Sequence, residues 1–189
     1  MRVIGGEYRG RRLGTVQGLD VRPTSDRLRE TLFNILSPVI PEARFLDLCA
    51  GSGAVGIEAL SRGARQVTFV EQSRKACAVI QKNLDLLGIT EGALVLNRDA
   101  ASAIRHLDER GEAFDLIYFD PPYDSSLYAR VLELIGVSNV LGKEGTVTVE
   151  HRAKNLLETD YKGLTALRQV KQGESQLVFY GRARESPFD

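Results

Sequence analysis

Residues 45–56 read Phe-Leu-Asp-Leu-Cys-Ala-Gly-Ser-Gly-Ala-Val-Gly, and they are the strongest indication of the fold. Its first five residues predict a short buried strand, and a helix is expected to follow the turn. A strand, a glycine-rich turn and a helix form the nucleotide-binding opening of an open α/β sheet. Gly51, Gly53 and Gly56 match the G-x-G-x-x-G spacing. A dinucleotide-binding enzyme is therefore one class to be weighed.

Strands and helices alternate from Arg44 onward. The predicted strands cover 44–49, 66–71, 93–97, 114–120, 145–150, Leu164–Lys171 and Ser175–Tyr180. The helices between them cover 54–62, 73–87, 100–109 and 126–135. A tight turn at 172–174 separates the last two strands, which predicts an antiparallel hairpin after a parallel series. We therefore expect an α/β fold with a seven-stranded mixed sheet and helices on both faces.

The N-terminal segment differs in composition from the rest of the chain. Residues 1–21 are rich in glycine and arginine and predict a short hairpin or arm. A helix should follow, because apolar residues recur on one face at Leu28, Leu32, Ile35 and Leu36. We therefore predict a basic arm and helix over residues 1–41 and the α/β domain over residues 42–189.

Composition excludes some classes of protein. The chain has 189 residues, of which 43% are hydrophobic and 26% charged, as in ordinary globular proteins. It has no apolar run long enough for a bilayer and no signal-peptide core. Cys49 and Cys77 are expected to be buried free thiols, and the location is predicted to be cytoplasmic. No group of residues has metal-ligand spacing, so no metal is expected, and His106 and His151 receive no role.

The distribution of charge is more informative than its total. A net charge of zero argues against a nucleic-acid ligand. However, basic residues cluster near both termini, with Arg2, Arg9, Arg11 and Arg12 in the arm, and acidic residues gather between 99 and 124. A balanced total can hide a basic face beside an acidic pocket.

Acidic residues lie at or just past the carboxyl ends of four of the predicted strands: Asp47, Glu71, Asp99 and Asp120. Ligands of open α/β sheets bind at the carboxyl ends of the strands, so these acids are expected to converge. Glu71 is placed to accept hydrogen bonds from ribose hydroxyls. Asp47 would repel a pyrophosphate, which argues against NAD, and would favour a ligand that carries an ammonium group.

The fourth predicted strand of the series ends in Asp120-Pro121-Pro122-Tyr123. The two prolines remove two backbone donors and fix two φ angles, and the residue before each proline is held extended. The result is a stiff corner that aims a carboxylate, backbone carbonyls and an aromatic ring into one space. The exocyclic amino group of a nucleobase fits such a space.

These motifs together resemble a known class. Residues 45–53, Glu71, the stretch 97–100 (Asn-Arg-Asp-Ala) and residues 120–123 resemble, in this order, class I S-adenosylmethionine-dependent methyltransferases. A narrower resemblance lies in the opening residues 1–13 and in residues 22–36, Arg-Pro-Thr-Ser-Asp-Arg-Leu-Arg-Glu-Thr-Leu-Phe-Asn-Ile-Leu. Both resemble RsmD-type bacterial methyltransferases, which modify the N2 amino group of one guanine in small-subunit (16S) ribosomal RNA. The similarity covers nearly the whole chain and implies a Rossmann-like class I methyltransferase fold.

The resemblance implies S-adenosylmethionine as the cofactor. The residues implied to bind it are Asp47, Ala50, Gly51, Ser52, Gly53, Glu71, Gln72, Asp99 and Ala100. Asp47 would meet the methionine ammonium. Asp99 would accept from the adenine amino group, with the Ala100 N–H donating to the ring. Asp99 also suits the N-cap of helix 100–109, and both roles are compatible.

The resemblance also implies the catalytic and RNA-binding residues. The Asp120 carboxylate and the Pro121 carbonyl would accept from the guanine N2 hydrogens, within the motif completed by Pro122 and Tyr123. Tyr123 would stack on a flipped or single-stranded base. The residues implied to contact RNA are Arg9, Arg11, Arg12, Arg22 and Thr24. The expected partner is ribosomal RNA, free or in an assembled small-subunit particle, and the protein is expected to be a monomer.

Three alternatives stay open. An N6-adenine or N4-cytosine nucleic-acid methyltransferase uses the same Asp-Pro-Pro-Tyr motif, although so short a chain leaves no room for an added target-recognition domain. An NAD-dependent oxidoreductase fits the glycine spacing. A non-catalytic RNA-binding protein with a decayed site fits the basic segments, although the intact acids argue against decay.

Overall fold

The structure is a computed structural model that describes residues 1–16, 25–122 and 125–182. Within these residues, eight strands form one mixed sheet. They are β1 (Arg44–Leu48), β2 (Gln66–Val70), β3 (Ala93–Leu96), β4 (Phe114–Phe119), β5 (Leu141–Arg152), β6 (Asp160–Tyr161), β7 (Leu164–Gln172) and β8 (Ser175–Arg182). Their order across the sheet is β3-β2-β1-β4-β5-β8-β7-β6. Pairing is parallel from β3 to β5 and antiparallel from β5 to β6.

Five helices accompany these strands in the described part of the chain. They are α1 (Asp26–Leu36), α2 (Ala54–Ser61), α3 (Arg74–Leu87), α4 (Ala100–Glu109) and α5 (Ser125–Val137). Ser25, Ser73 and Asp99 precede α1, α3 and α4, and each side chain accepts a hydrogen bond from an N–H of the first turn. Gly88 ends α3 with a φ of 72°, a left-handed conformation that glycine adopts easily.

Two apolar layers cover the two faces of the sheet. The first contains side chains of α1, α2 and α3, and the second contains side chains of α4 and α5. Phe45 and Leu46 are consecutive in β1, fully buried, and belong to opposite layers. A strand covered on both faces needs apolar residues at successive positions, which explains the nearly continuous apolar run that identified it.

The predicted α/β fold is confirmed, with one strand more than the seven expected. The added strand, β6, has two residues and pairs with β7 through Tyr161 and Leu164. Periodicity did not predict it because two residues are too few to show an alternation. In addition, β5 begins at Leu141, earlier than the predicted start at residue 145.

Residues 1–13 form the predicted hairpin and pack against the first apolar layer. Arg2 and Arg12 form an antiparallel bridge, and the Val3 N–H donates to the Arg11 carbonyl at 3.0 Å. Val3 and Leu13 are buried in the same layer as α1 and the sheet. The division between residues 1–41 and 42–189 therefore stays a prediction.

Two further expectations concern the cysteines and the membrane. Cys49 and Cys77 are free thiols, as expected, but they are half-buried rather than buried. Cys49 lies just after β1 rather than within it. None of the helices in the described ranges has the length and apolar character needed to cross a bilayer.

Candidate cofactor and catalytic site

Asp47 lies beneath the glycine turn and caps α2. Its side chain is 1% exposed, and Oδ2 accepts a hydrogen bond from the Gly56 N–H at 2.8 Å. Gly53 is the N-cap of α2 and has no side chain for this purpose, so the strand supplies the acceptor that the helix start needs. Burial raises the pKa of Asp47 to about 7, the Gly56 hydrogen bond lowers it, and the Glu71 carboxylate raises it.

The glycines of the turn are required for different structural reasons. Gly51 and Gly53 have φ angles of 56° and 79°, in the left-handed region. A Cβ on Gly56 would lie 2.3 Å from the Phe69 ring, so this glycine lets α2 pack closely on β2. A Cβ on Gly51 would meet nothing within 4 Å. The turn, closed by the Gly53 N–H donating to the Ala50 carbonyl at 2.7 Å, therefore faces open space.

Glu71 connects the end of β2 with the glycine turn. Its Oε2 accepts from the Gly51 N–H at 2.9 Å and its Oε1 accepts from the Ser73 N–H at 2.8 Å. The Asn97 side chain donates to the backbone carbonyls of Glu71 and Gln72, both at 2.9 Å. These contacts fix the carboxylate and the backbone of residues 71–72. Sequence reasoning gave Asn97 no role of its own, because its partners are backbone atoms distant in sequence.

Asp99 caps α4, as predicted. Its Oδ1 accepts from the Ser102 N–H at 2.9 Å, and its side chain is exposed on the sheet edge. Ala100 is the first helical residue and is buried, so its N–H is one of the first-turn donors without an intrahelical partner. The capping role leaves the adenine-binding role of Asp99 and Ala100 as a prediction.

The structure brings the four predicted acids together at the end of β1. Cys49 follows that strand, and burial is the largest cause that raises the pKa of its thiol. The carboxylates of Glu71, Asp120, Asp47 and Asp99 raise it further, in that order. A carboxylate acts on a thiol in this way only when it lies close. Cys49 thus marks the point on which the acids converge.

Cys49 also has strained backbone geometry. Its φ is 64°, which costs a residue other than glycine about 1–3 kcal/mol. Strain of this kind is concentrated at functional sites.

The Asp120 corner adjoins this point. The Asp120 N–H lies 3.5 Å from the Leu48 carbonyl at the end of β1. Asp120 is half-buried, Pro121 is buried and Pro122 is exposed. Tyr123 lies outside the described residues. The corner therefore leaves the sheet beside the glycine turn, with its carboxylate near the other acids.

Asn83 is a site residue that sequence reasoning missed. It is a buried polar residue of α3, and its amide Nδ2 donates to the Ser52 carbonyl of the glycine turn at 2.9 Å. The same side chain exchanges hydrogen bonds with the Gly14 backbone, at 2.7 Å to its N–H and 3.1 Å to its carbonyl. The Ser52 hydroxyl also contacts the Met1 sulfur at 3.8 Å. The N-terminal segment therefore packs against the glycine turn.

The predicted RNA-binding residues lie mainly on the arm. Arg9, Arg11 and Arg12 are exposed, and Arg11 also donates to the Leu86 carbonyl near the end of α3 at 3.0 Å. Arg22 and Thr24, the other two residues of this prediction, lie outside the described residues.

The donor set fits S-adenosylmethionine. The cofactor carries a cationic sulfonium and an ammonium, and acidic surroundings stabilise both. Four carboxylates converge at the turn, which faces open space at Gly51. Glu71 holds its carboxylate beside the turn, where ribose hydroxyls can donate to it. A pyrophosphate would instead be repelled. The fold and the site define a class I S-adenosylmethionine-dependent methyltransferase.

Comparison with known proteins identifies the family. The family model described as Conserved hypothetical protein 95 matches residues 1–181, and the chain belongs to this family. The Ribosomal RNA small subunit methyltransferase D of Escherichia coli (strain K12) is 36% identical over 189 residues, which are 100% of this chain and 93% of the relative. Its counterpart of the same name from Haemophilus influenzae is 37% identical over 79% of this chain and 78% of its own. The resemblance to RsmD-type methyltransferases is confirmed.

A solved structure of a related protein has the same fold. The Escherichia coli protein described as "Putative methyltransferase yhhF" has a TM-score of 0.86 and 37% identity, covering 98% of this chain and 99% of that chain. The agreement extends over the sheet, the helices and the N-terminal hairpin, since nearly every residue of both chains is included.

Proposed function

We propose that this methyltransferase transfers the methyl group of S-adenosylmethionine to the exocyclic N2 amine of a guanine in small-subunit (16S) ribosomal RNA. The observation that carries the proposal is the convergence of Asp120 with Asp47, Glu71 and Asp99 around Cys49. This convergence supports a corner for binding an amine next to the proposed cofactor site. The relatives named for small-subunit ribosomal RNA support the substrate class.

Each of the proposed cofactor-binding residues contacts a different part of S-adenosylmethionine. When bound, S-adenosylmethionine supplies a methyl group on a cationic sulfur. Asp47 offers a carboxylate to the ammonium, directly or through water, and Glu71 accepts from the ribose hydroxyls. Asp99 and the Ala100 N–H face the adenine, and the exposed Gln72 adjoins the ribose. The turn residues Ala50, Gly51, Ser52 and Gly53 provide backbone along the ligand.

Asp120 prepares the amine for reaction. The lone pair of guanine N2 is delocalised into the ring, so the amine is a poor nucleophile. Hydrogen bonds from its two hydrogens to the Asp120 carboxylate and the Pro121 carbonyl favour a more tetrahedral nitrogen, whose lone pair can point at the methyl group. Pro122 stiffens the corner and Tyr123 stacks on the base. Alignment contributes more to this displacement than a strong base does.

The RNA surface lies around this site. Arg9, Arg11 and Arg12 on the hairpin contact phosphates, together with Arg22 and Thr24. The acceptor is ribosomal RNA, free or within an assembled small-subunit particle. The protein acts as a monomer in the cytoplasm, with residues 1–41 as the basic RNA-contacting part and residues 42–189 as the methyltransferase domain.

Labelling identifies the product directly. The protein is incubated with methyl-labelled S-adenosylmethionine and unmethylated free 16S rRNA, small-subunit particles, other RNAs or duplex DNA, and the nucleosides are separated. We expect the label in N2-methylguanosine from one position of 16S rRNA. Asp120→Ala should remove it, whereas Asp115→Ala, at the other end of β4, should not. Label in N6-methyladenine or N4-methylcytosine would refute the guanine assignment.

A further inference from the structure

Glu150 is a buried carboxylate at the level of the proposed catalytic corner. It belongs to β5 and is 6% exposed. β5 runs parallel to β4, with Phe119 paired to Val149. One residue further, Asp120, which directly follows β4, and Glu150 of β5 are therefore expected at the same level, since neighbouring strands lie about 4.8 Å apart.

The two carboxylates are also expected on the same face of the sheet. The Tyr118 hydroxyl donates to Glu150 Oε2 at 2.5 Å, so the side chains of Tyr118 and Glu150 share a face. Side chains alternate along a strand, and the Asp120 N–H still lies 3.5 Å from the Leu48 carbonyl of β1, so we infer that Asp120 continues the alternation and shares the face of Tyr118. From α5, the Tyr128 hydroxyl contacts the Glu150 carbonyl at 3.3 Å. Glu150 is thus fixed through both its side chain and its backbone.

A second carboxylate beside Asp120 distinguishes the candidate bases. The Watson–Crick edge of guanine presents the N1–H beside the N2 amine, so donors lie next to each other. Adenine presents an acceptor at N1 beside its N6 amine, and cytosine presents an acceptor at N3 beside its N4 amine. A carboxylate at this place accepts from guanine and repels the lone pair of the other two bases.

We propose that Glu150 is a specificity-determining residue that accepts a hydrogen bond from the N1–H of the target guanine. The inference rests on the proposed function and adds to it the group that selects the base. The Tyr118 hydroxyl donates to Oε2 and holds the Glu150 side chain in place, and one carboxyl oxygen can accept more than one hydrogen bond.

The test changes the hydrogen-bonding group at position 1 of the target base, and separately the group of the protein that is proposed to contact it. The substrates are synthetic small-subunit RNA fragments that carry either the mapped guanine or 2-aminopurine at its place. 2-Aminopurine keeps the same amine but has an acceptor at N1. The enzymes are the wild type, Glu150→Gln, Tyr118→Phe and the matched control Glu144→Gln, which changes an exposed residue of β5. The measured quantity is the ratio of kcat/KM for the two substrates.

We expect the wild type to prefer guanine over 2-aminopurine by about 100-fold. Glu150→Gln presents an amide that can donate to the N1 acceptor, so the ratio should move toward 2-aminopurine by about 10-fold or more. Tyr118→Phe should weaken the preference by freeing the carboxylate, and Glu144→Gln should leave it unchanged.

Two results would overturn the inference. One is a wild type that methylates 2-aminopurine as well as guanine, a measurement that does not depend on any variant folding. The other is a Glu150→Gln variant that loses activity equally on both substrates, as a purely structural residue would. A failure of the proposed function is distinct from both, because the wild type would then label no guanine N2 at all.

Discussion

Replacing Asp47 by asparagine should stabilise the folded protein at neutral pH and weaken cofactor binding. Burial raises the pKa of Asp47 from 3.8 to about 7. The folded state thus holds the proton more tightly than the unfolded state does. The stability of the wild type therefore falls as the pH rises from about 4 to about 7. Asparagine keeps the shape and the acceptor for the Gly56 N–H, and it removes the titrating group.

The size of the effect follows from the pKa difference. The interval from 3.8 to about 7 corresponds to about 4 kcal/mol, at about 1.4 kcal/mol per pH unit. About 2–3 kcal/mol of this should develop between pH 5 and pH 8, since the unfolded carboxyl is already largely ionised at pH 5. The stability advantage of Asp47→Asn should therefore grow by that amount over this range.

Urea unfolding of both proteins at pH 5, 6, 7 and 8 and constant ionic strength measures the difference. Asp85→Asn, a change of an exposed carboxylate on α3, is the matched control and should track the wild type. If the difference in unfolding free energy between Asp47→Asn and wild type stays constant from pH 5 to pH 8, the Asp47 carboxyl does not have a raised pKa in the folded protein.

The affinity of the wild type for the cofactor product should rise with pH, whereas its stability falls. The methionine ammonium favours the ionised form of Asp47, so the wild type should bind S-adenosylhomocysteine more tightly at pH 8 than at pH 6. Asp47→Asn should bind it more weakly at pH 8 and lose this pH dependence. Isothermal titration calorimetry tests both statements, and equal affinities at pH 8 would leave Asp47 as a helix cap only. A variant that is more stable and binds less well is the usual sign of a functional group.

Four further predictions follow. S-adenosylmethionine and its demethylated product should raise the melting temperature by mass action, whereas NAD should not; a shift with NAD alone would contradict the site. Asp120→Ala should abolish turnover and leave cofactor affinity nearly unchanged, and Asp120→Asn should also be poor because an amide donor faces the amine; normal turnover in both would remove Asp120 from the mechanism. Replacing Arg9, Arg11 and Arg12 with alanine should raise the KM for RNA, flatten its salt dependence by up to about one log–log slope unit per lost phosphate contact and leave the S-adenosylmethionine KM unchanged. Asn83→Ala should lower the free energy of unfolding by about 2–4 kcal/mol, since three backbone groups lose their partner, and weaken S-adenosylhomocysteine binding; wild-type affinity would show that Asn83 does not position the turn.

The elements of the sheet were predictable because each carries a local signal. The residues around Phe45 are apolar on both faces of the strand, which predicted β1. The glycines that follow permit a tight turn, which predicted where the strand ends. The acids were predictable as a group for a topological reason, since parallel strands end at one edge. By contrast, β6 consists of two residues that are paired with β7. No local sequence pattern predicts so short a strand.

The contacts between distant segments were not predictable. Glu58 lies in α2 and is fully buried, although nothing in the sequence distinguishes it from an acidic residue on the surface of a helix. Its carboxylate accepts from the Ile4 and Gly5 N–H groups, both at 2.8 Å, and pairs with Arg62 at 2.8 Å and Arg29 at 3.9 Å. Only the tertiary structure brings these donors to it. A charge of this kind is buried because it satisfies backbone groups and two cations at once.

The contacts of the N-terminal hairpin with α2, α3 and the glycine turn bear on its proposed role in RNA binding. The hairpin backbone is held by Glu58 of α2 and by Asn83 of α3, and Met1 contacts the glycine turn through Ser52. A segment held in this way adds to the stability of the cofactor site, whatever it binds. Its arginine side chains are exposed, and that of Arg11 also donates to the Leu86 carbonyl of α3. The anchoring of the backbone and the proposed contact of the side chains with phosphates can therefore be tested separately. Deleting the hairpin would disturb both, whereas replacing only Arg9 and Arg12 tests the proposed RNA contact and keeps the hydrogen bond from Arg11 to the Leu86 carbonyl.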